Sequence, residues 1–448
     1  MRIAVIGSGI AGHSAALALT HAHQAHDVVL YEREARAGGH AATVDIAWRD
    51  GTIPVDTGFI VYNECNYPNL TAFFEWAGVE TQASNMSFSV SADRGRFEWC
   101  GADGAGALDR LFAQRRNLAS PSFLAMLRDI LRFQKQAAAD LAAGSIGAVS
   151  LGDYLARHSF GARLQTDYLV PMGAAIWSTS PRAMLEFPAQ SFIEFFENHA
   201  LLQWQRPPWR TVTGGSRRYV ERLGELLKDR IWLGREVTSV RRENQGVTVR
   251  EASSHEERFD HVVLATHAPQ AMALLDNPTG LERSLLGSLH TSQNRVVLHA
   301  DSALMPKRRR AWAAWNFLRL QGRDGEKVSV TYWMNALQGI RADCPLFVSL
   351  NPPFEPDPAL VHAEFSYAHP QFDGAALVAR GRLAEIQGKD RISWCGAWTG
   401  HGFHEDGMRS GLEAAAGLGG RAPWTLAGFA PKTSPQLLPA QRQLAEAS

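Results

Sequence analysis

Residues 1–34 read MRIAVIGSGIAGHSAALALTHAHQAHDVVLYERE, and this stretch decides the fold. Residues 2–6 are a short apolar run rich in β-branched side chains, which is typical of a buried parallel strand. Three glycines in a G-x-G-x-x-G spacing follow, then a helix pattern rich in alanine and leucine, then a second strand pattern that ends at Glu32. This order of strand, glycine turn, helix and strand predicts the first βαβ unit of an α/β fold.

The three glycines predict a turn that lets main chain approach a dinucleotide. Gly7 permits the tight turn, Gly9 lets the backbone come close to a pyrophosphate, and Gly12 lets helix and strand pack closely. The helix N-terminus then offers free N–H groups to the phosphates. Glu32 follows Gly12 by twenty residues, the spacing at which an acidic side chain accepts hydrogen bonds from a ribose hydroxyl.

Composition excludes several classes of function. The 448 residues are too many for one simple core, so two or three packed units are expected. The net charge is zero without a long basic stripe, so nucleic acid is not expected as a partner. The four cysteines form no C-x-x-C pair, which argues against a metal site or a disulfide framework and favours a reducing compartment. No apolar run is long enough to span a bilayer, and glycines interrupt the first one, so we expect a cytoplasmic protein.

One short basic run, Lys307 to Arg310, precedes an aromatic stretch. Such a run is typical of a solvated loop. Contact with an anionic membrane surface is the alternative, and it would place the protein at the inner face of the membrane.

Residues 31–44, YEREARAGGHAATV, indicate which dinucleotide binds. They resemble the second signature of the flavin amine oxidase and phytoene desaturase superfamily, usually E-x-x-x-R-x-G-G-R. The resemblance implies that Arg36 and the paired glycines Gly38 and Gly39 run along the diphosphate and ribityl chain of FAD. His40 stands where the family commonly has arginine. The resemblance therefore implies FAD rather than NAD as the cofactor.

Three further stretches resemble the same superfamily in the same order. VDTGFIVYN (55–63) is similar to the strand that returns beside the flavin, and TVTGGSRRYVERLGELL (211–227) to a glycine pair that starts a helix. FDHVVLATHAP (259–269) is similar to the strand that re-enters the nucleotide domain, and a strand pair before it would bring Val237 to the adenine.

RISWCGAWTGHGFHEDGMRSGLEAA (391–415) resembles the segment of the superfamily that ends at the flavin pyrimidine. The resemblance implies that Gly396 closes a strand and that Gly407 opens a helix. Backbone N–H groups from Asp406 to Met408 would face the flavin. Ala397 stands where many relatives place an aspartate.

Together these stretches predict an α/β fold: a Rossmann-like, glutathione-reductase-like FAD-binding domain with an interleaved α+β substrate domain. The FAD-binding domain is expected at 1–80, 205–268 and 385–422, the substrate-binding domain at 81–204 and 269–384, and a poorly ordered tail at 423–448. Within the substrate domain, 120–144 predict a helix with Ser120 as N-cap, and 295–301 and 327–337 predict strands. The predicted cofactor-binding residues are Gly7, Gly9, Ile10, Ala11, Gly12, Glu32, Arg33, Arg36, Gly38, Gly39, His40, Thr57, Gly58, Phe59, Val237, Ala265, Thr266, Gly396, Ala397, Asp406, Gly407 and Met408.

His404 and Glu405 are the candidate catalytic residues. His404 falls where amine oxidases have an aromatic wall of the substrate cavity, and it is the most plausible general base nearby because histidine titrates near neutrality. A packing role is the alternative. Glu405 is left open between chemistry and capping, whereas Asp406 is expected to cap the helix. Cys395 is expected to be a buried thiol rather than a covalent flavin link.

Two observations bear on the substrate. Arg295 stands where we would place the lysine that holds a water near the flavin in amine oxidases, and an arginine cannot serve as a base at neutral pH. Aromatic side chains cluster in the predicted substrate domain, where they either pack as core or line an apolar tunnel suited to an acyl chain: Trp177, Phe187, Phe192, Phe195, Phe196, Trp312, Trp315, Phe317, Tyr332 and Trp333.

At finer level, 55–70, 330–340 and 394–411 resemble a narrower group of flavoproteins. This group is similar to the FAD-binding portion of plant cyclopropane fatty acid synthases and to desaturases of the furan fatty acid pathway. The resemblance implies an FAD-dependent dehydrogenase or desaturase of a lipid acyl chain, with functional pairing to a cyclopropane-synthase-like methyltransferase. A flavin amine oxidase and a non-catalytic flavoprotein partner of that methyltransferase are the alternatives.

Overall fold

The computed structural model describes residues 1–425 except Ala25, Asp50, 102–105, 178–179, Ala200, 203–206 and 323–324. The strands of this part of the chain are β1 (Arg2–Ile6), β2 (Asp27–Tyr31), β3 (Thr43–Trp48), β4 (Gly51–Asp56), β5 (Tyr62–Asn63), β6 (Thr81–Ser84), β7 (Phe88–Ala92), β8 (Phe97–Gly101), β9 (Trp209–Val212), β10 (Ile231–Trp232), β11 (Val237–Glu243), β12 (Gly246–Glu251), β13 (Glu256–Phe259), β14 (His261–Leu264), β15 (Thr291–His299), β16 (Trp315–Gly322), β17 (Gly325–Trp333), β18 (Phe347–Leu350), β19 (Val361–Pro370) and β20 (Ile392–Trp394). The α-helices are α1 (Ile10–Thr20), α2 (Pro68–Ala77), α3 (Ala107–Leu111), α4 (Pro121–Ala143), α5 (Leu151–Arg157), α6 (Ala162–Leu164), α7 (Val170–Trp177), α8 (Pro181–Glu186), α9 (Ala189–Asn198), α10 (Arg217–Leu227), α11 (Ala268–Leu274), α12 (Gly280–Gly287), α13 (Met334–Gln338), α14 (Gly374–Gly381) and α15 (His404–Ala416).

A parallel five-stranded sheet carries the predicted nucleotide fold. Its strands lie in the order β10-β2-β1-β14-β20, and every described pairing in it is parallel. Ile3 pairs with Val28 on one side and His261 on the other, and the strand interior is fully buried. Helices α1 and α15 pack against each other beside this sheet. In parallel sheets of this kind, ligands bind outside the carboxyl ends of the strands.

A mixed seven-stranded sheet forms the second layer. Its order is β19-β15-β18-β17-β16-β7-β8, antiparallel except where β16 runs parallel to β7. A hydrophobic core joins β7, β8, β16 and β17 to the helices between 121 and 198. Strands β1, β2, β10, β14 and β20 of the first sheet alternate along the chain with β7, β8 and β15–β19 of the second. The domain boundaries given above stay a prediction.

Most elements expected from the sequence are confirmed, and so is the α/β class with a parallel sheet. Ser120 caps α4 by accepting a hydrogen bond from the Phe123 N–H. Strands β15 and β17 occupy the alternating runs, but the second run turns into helix α13 after Trp333. In the part of the chain described here, no helix combines the length and apolarity that a membrane crossing requires.

The C-terminal tail differs from expectation at its start. Residues 426–448 lie outside the described part. Before them, the Arg421 N–H donates to the Ala18 carbonyl, and the buried Trp424 ring packs 5.4 Å from Phe73 and 5.8 Å from Trp76. The chain is therefore held against α1 and α2 at residues where disorder was expected. Burial of the Trp424 ring stabilises this segment although the residues around it are polar or proline.

Candidate active site

A cavity of about 860 Å³ begins at the carboxyl ends of β1, β2 and β14 and reaches the seven-stranded sheet. We call its two parts the nucleotide end and the distal wall. The nucleotide end is formed by Ile6–Ala11, Tyr31–Glu34, Arg36, Arg235–Val237 and Ala265–His267. The distal wall is formed by Met86, Phe88, Met172, Ala175, Ile176, Trp177, Phe195, Leu201, Val296, Trp315, Tyr332, Val348, Leu350 and Phe372.

The glycine turn differs in role from residue to residue. Gly7 has φ +105°, and a Cβ there would lie 2.9 Å from the Ala265 carbonyl oxygen. A Cβ on Gly12 would lie 1.8 Å from the Gly7 carbonyl oxygen, so Gly12 serves helix packing and does not line the cavity. A Cβ on Gly9 would meet no protein atom within 4 Å and would enter the cavity. The turn therefore leaves open the space that a pyrophosphate needs beside Gly9.

Glu32 lines the nucleotide end and also holds the turn together. One carboxylate oxygen accepts hydrogen bonds from the Ser8 N–H (3.1 Å) and hydroxyl (2.5 Å), and the other from the Glu34 N–H (2.9 Å). Arg33 lines the same part of the cavity. Glu32 is thus oriented by the loop it faces, as a ribose ligand needs to be.

The second signature forms a loop over the glycine turn. The Arg36 guanidinium lines the cavity and donates to the carbonyls of Gly39 (3.1 Å) and Ala41 (3.4 Å), which holds the loop closed. Gly38, at φ +111°, donates its N–H to the Ser8 carbonyl and does not reach the cavity. Gly39 and His40 do line it.

Residues 56–59 follow β4 into the cavity wall, where Thr57, Gly58 and Phe59 lie. A Cβ on Gly58 would approach the His40 carbonyl oxygen to 2.1 Å, so only glycine fits beside the loop. Asp56 behind them is buried and accepts hydrogen bonds from the Ser216 N–H and hydroxyl. Burial raises the pKa of Asp56 to about 6. Asp56 therefore fastens the N-terminus of α10 to the cavity wall.

The remaining residues predicted to bind the cofactor follow β14 and β20 of the parallel sheet or, in the case of Val237, begin β11 of a three-stranded sheet. Val237, Ala265 and Thr266 line the nucleotide end, and Gly396 and Ala397 line the cavity after β20. Cys395, just before them, is buried away from the cavity, and burial raises the pKa of its thiol to about 12. The expected buried thiol is confirmed.

Helix α15 begins at His404, three residues before the predicted start at Gly407. The Gly407 N–H is already donated within the helix to the Phe403 carbonyl, and a Cβ on Gly407 would lie 2.8 Å from Ile10 Cγ2. Met408 is buried against α1, where its carbonyl accepts the Ser14 hydroxyl. In this structure Gly407 and Met408 pack α15 onto α1, and their predicted contact with the cofactor stays a prediction.

Asp406 caps the same helix, as expected. Its carboxylate accepts hydrogen bonds from the N–H groups of His401 (2.9 Å) and Phe403 (3.1 Å) and from Arg409 (2.7 Å). The Asp406 side chain does not line the cavity, and the predicted contact of its backbone N–H with the cofactor stays a prediction.

His404 lines the cavity, but its environment does not suit a base that titrates near neutrality. The ring stacks on Phe59 with centroids 3.9 Å apart, and its Nε2 shares a 2.7 Å hydrogen bond with the Tyr219 hydroxyl. Burial, with a smaller contribution from His40, lowers the pKa of His404 to about 3. The near-neutral titration expected from the sequence is therefore wrong, and His404 is a neutral, fixed wall of the site.

Glu405 points away from the cavity. Its carboxylate accepts hydrogen bonds from the Asn69 N–H (3.0 Å) and side-chain amide (2.6 Å) and from the Leu70 N–H (3.0 Å), at the first turn of α2. It does not line the cavity. Of the two roles left open for Glu405, the structure shows capping, because its partners are N–H groups that a helix N-terminus leaves unsatisfied; a catalytic role stays a prediction.

A histidine cluster at the cavity was not expected from the sequence. His40 lies 5.7 Å from His267 and 5.7 Å from His369, measured between ring centroids, and 5.2 Å from Tyr367; all four line the cavity. Burial, then the neighbouring imidazoles, lower the pKa of His40 to about 3. The His40 Nε2 is buried without a protein partner in the described structure. Three distant segments supply these rings, so no local spacing could have indicated them.

The aromatic residues singled out in the sequence divide into two groups. Trp177, Phe195, Trp315 and Tyr332 line the cavity. The others pack in cores: Phe187, Phe192, Phe196 and Phe317 in the helical core, and Trp312 and Trp333 beside Arg309. Some of these aromatic residues therefore pack in the core, and others line the cavity.

Arg295 lies outside the cavity. Its guanidinium pairs with Glu355 and Glu364 at 2.8 Å on the outer edge of β15 and β19. Among the described residues that line the cavity, the carboxylates are Glu32, Glu34 and Glu236, all at the nucleotide end, and none of the lining residues is aspartate or lysine. The distal wall therefore has no side chain that could neutralise a cationic substrate.

Comparison with known proteins places this geometry in a family. Residues 10–339 match the family described as flavin containing amine oxidoreductase. Putrescine oxidase bound to putrescine has the same fold, with a TM-score of 0.66 and 15% identity over 93% of this chain and 99% of that chain. Cyclohexylamine oxidase from Brevibacterium oxydans IH-35A gives a TM-score of 0.64 and 16% identity over 93% and 98% of the two chains.

The CLA-producing fatty acid isomerase from P. acnes also has this fold, with a TM-score of 0.61 and 13% identity over 93% of this chain and 97% of that chain. At these identities the similarity shows the fold alone. A search of curated proteins found no significant match.

The residues present fit FAD. The space beside Gly9 can take a pyrophosphate, and Glu32 is oriented to bind a ribose at the carboxyl ends of the parallel strands. The cavity volume lies within the range of about 300–1,000 Å³ that is usual for ligand cavities. The unpartnered His40 Nε2 offers a polar contact farther along the cavity.

Proposed function

Because this chain belongs to the family of flavin containing amine oxidoreductases and is an FAD-dependent oxidoreductase, we propose that its substrate is a fatty acyl chain of a lipid, which it dehydrogenates. The observation that carries the proposal is the distal wall, which is apolar and aromatic. A primary amine is protonated at neutral pH, and burying a cation without a counter-charge is costly. An acyl chain instead gains free energy from contact with such a wall.

Different residues of the chain would bind FAD, hold the acyl chain and exclude water in the proposed reaction. FAD, when bound at the nucleotide end, would supply the acceptor for both hydrogens that leave the acyl chain, one as hydride and one as a proton, as a C=C bond forms. The distal wall holds the acyl chain by apolar contact and excludes water. Phe59 and Tyr219 fix the His404 ring as a neutral wall, so that no charge opposes an apolar chain there. Dioxygen or another acceptor takes up the electrons afterwards.

The fold itself does not separate lipids from amines. Two relatives of this fold are named as amine oxidases and one as a fatty acid isomerase, so the choice rests on the cavity wall. A flavin amine oxidase is the second candidate, which the family match favours. A non-catalytic flavoprotein that serves a lipid methyltransferase is the third.

The test follows the oxidised-flavin absorbance of the purified protein under anaerobic conditions. Vesicles of monounsaturated phospholipid should bleach the band, whereas putrescine and aromatic amines should leave it unchanged. Bleaching by amines alone would assign the protein as an amine oxidase. A band that neither reductant changes would favour the non-catalytic partner.

A matched pair of variants ties the result to the cavity. Ile176 and Leu185 are both partly buried against the helical core, but only Ile176 lines the cavity. Ile176→Gln should slow bleaching by lipid about tenfold, because a polar amide then faces the acyl chain. Leu185→Gln should leave the rate unchanged. Equal rates for the two variants would contradict the assignment of the acyl site.

A further inference from the structure

Exposed leucines concentrate in one segment of the helical region. Among the large apolar side chains that the described residues leave exposed, Leu108 (72%), Leu118 (54%), Leu124 (45%) and Leu131 (56%) fall within residues 108–131. The remaining ones are scattered: Met1, Trp76, Leu233, Phe354 and Leu360. Single exposed leucines need no explanation, but a concentration of this kind marks an interaction surface.

Helix α4 presents a regular outward stripe. Leu124, Arg128, Leu131 and Lys135 are all exposed and recur at spacings of four, three and four, which places them on one helical face. The opposite face, which includes Phe123, Met126 and Phe133, is buried in the core. The helix therefore has an outward stripe of alternating leucine and basic side chains that no described part of the chain covers.

The elements before α4 lie close to it and add two more exposed leucines. The short 3-10 helix Arg115–Ala119 carries Leu118 and leads directly into α4. Helix α3 carries Leu108 and is held nearby, since the rings of Phe112 and Phe123 pack 5.9 Å apart. We call α3, the 3-10 helix and the outward stripe of α4 the leucine–arginine face.

The leucine–arginine face is strongly basic in a chain of zero net charge. Residues 107–135 contain six arginines and lysines against two aspartates. Asp129 is buried and shared by Arg128 and Arg132, while Asp109 is shared by Arg115 and Arg310. Each carboxylate is thus divided between two guanidiniums, so an excess of positive charge remains.

We propose that the leucine–arginine face docks this protein on an anionic lipid bilayer. Exposed leucines insert among the acyl chains near the surface, while long arginine and lysine side chains reach the phosphates. The charge complementarity favours this occupant over a second copy of the chain, because two such basic faces would repel each other. The basic run Lys307–Arg310 adds positive charge on the same side through Arg310, which contacts Asp109 of α3.

The leucine–arginine face lies close to the cavity proposed to hold an acyl chain. The evidence for docking, however, comes from the exposed side chains and their charge and does not depend on the proposed function. Helix α4 packs on α9, and the Gln134 side-chain amide donates to the Leu201 carbonyl. Phe195 of α9 and Leu201 both line the cavity. Helices α4 and α9 therefore lie between the docking face and the distal wall.

The test is flotation of the FAD-loaded full chain with vesicles of saturated phospholipid. Vesicles of phosphatidylcholine with phosphatidylglycerol should bind the protein, pure phosphatidylcholine should bind it much less, and added salt should weaken the binding. Saturated lipids keep this measurement separate from any reduction of the flavin, so docking and the proposed chemistry can fail independently.

Three double variants make the test specific. Leu124→Gln with Leu131→Gln removes the apolar stripe, and Arg128→Gln with Lys135→Gln removes the charge; each should weaken binding about tenfold or more. Leu233→Gln with Leu360→Gln is the matched control, because these leucines are similarly exposed (45% and 38%) on other elements. The control should bind as the unchanged protein does.

Three results would overturn the proposal. The first is absence of binding to the anionic vesicles, and the second is equal binding by the unchanged protein and both test variants. The third is a dimer in sedimentation that the Leu124→Gln and Leu131→Gln variant converts to a monomer, which would assign the face to a second copy of the chain.

Discussion

At the scale of single residues, three neighbouring glycines serve three different needs. Gly7 adopts a positive φ, Gly12 gives a carbonyl room at the start of α1, and Gly9 leaves space for a ligand. The sequence spacing predicts all three roles, because the turn is local and its geometry depends on few residues. Substitution can therefore separate cofactor binding from folding within one short loop.

Gly9→Val should abolish FAD binding and leave the apo fold intact. Gly9 has φ −65° and ψ 179°, which valine accepts, and the new side chain would enter the cavity. Gly12→Ala should instead destabilise the fold by about 3 kcal/mol, because its Cβ would overlap the Gly7 carbonyl oxygen. The ratio of flavin to protein absorbance and the thermal melt of each apo protein measure the two effects. Full flavin content in Gly9→Val would contradict the placement of the pyrophosphate.

Arg295→Ala should leave flavin reduction within about twofold of the unchanged protein, because the guanidinium lies outside the cavity in exposed ion pairs. The midpoint of thermal unfolding should fall by about 2 °C at most. Rates of reduction by the best available reductant, measured by stopped-flow absorbance, check the first statement. A loss of a hundredfold would return Arg295 to the reaction site.

At the scale of elements, the sequence predicts what is local. The βαβ unit, the Ser120 cap of α4 and the β11–β12 hairpin each depend on neighbouring residues, and all are present. The start of α15 was misplaced because Gly407 resembles a helix opener, whereas the helix begins at His404 with Asp406 closing the first turn. The partner of Glu405 is α2, 336 residues away in the chain, and no spacing rule connects them.

Glu405 should make the docking of α2 on α15 sensitive to pH. Burial raises the pKa of Glu405 to about 7, well above its value in an unfolded chain, so the folded state binds the proton more tightly. Its contribution to stability is then complete below about pH 4.5 and is lost as the pH rises through about 7. Glu405→Gln does not titrate. Its stability relative to the unchanged protein should therefore improve by about 3 kcal/mol between these pH values.

Denaturant unfolding of both proteins across this pH range measures that difference. The histidines and Asp56 also have shifted pKa values, but their contributions to the pH dependence of stability are the same in both proteins and cancel in the comparison. Asp406→Asn is the control, since its carboxylate is also at the start of α15 but does not contact α2. A difference between the unchanged protein and Glu405→Gln that stays constant with pH would contradict the raised pKa of Glu405.

At the scale of the whole molecule, the cavity joins two sheets whose strands alternate along the chain. The nucleotide end follows from sequence signatures, and most of the residues predicted to bind the cofactor line the cavity. The sequence predicted that aromatic side chains would pack as core or line a cavity, but not which ones would line it. The residues of the distal wall come from helices and strands that lie far apart in the sequence. The meeting of His40, His267 and His369 is a product of that interleaving, and only the folded chain shows it.

Interleaving predicts that FAD stabilises both sheets together. Each tenfold rise in free FAD above its Kd should add about 1.4 kcal/mol to the free energy of unfolding. Tryptophan fluorescence, which reports Trp177 and Trp315 in the distal wall and Trp398 beside β20, should therefore change at the same temperature as flavin release. Both midpoints should rise in parallel with added FAD, while Gly9→Val should show no response. Two separate transitions, of which FAD moves only one, would mean that the nucleotide end folds independently of the wall that faces the substrate.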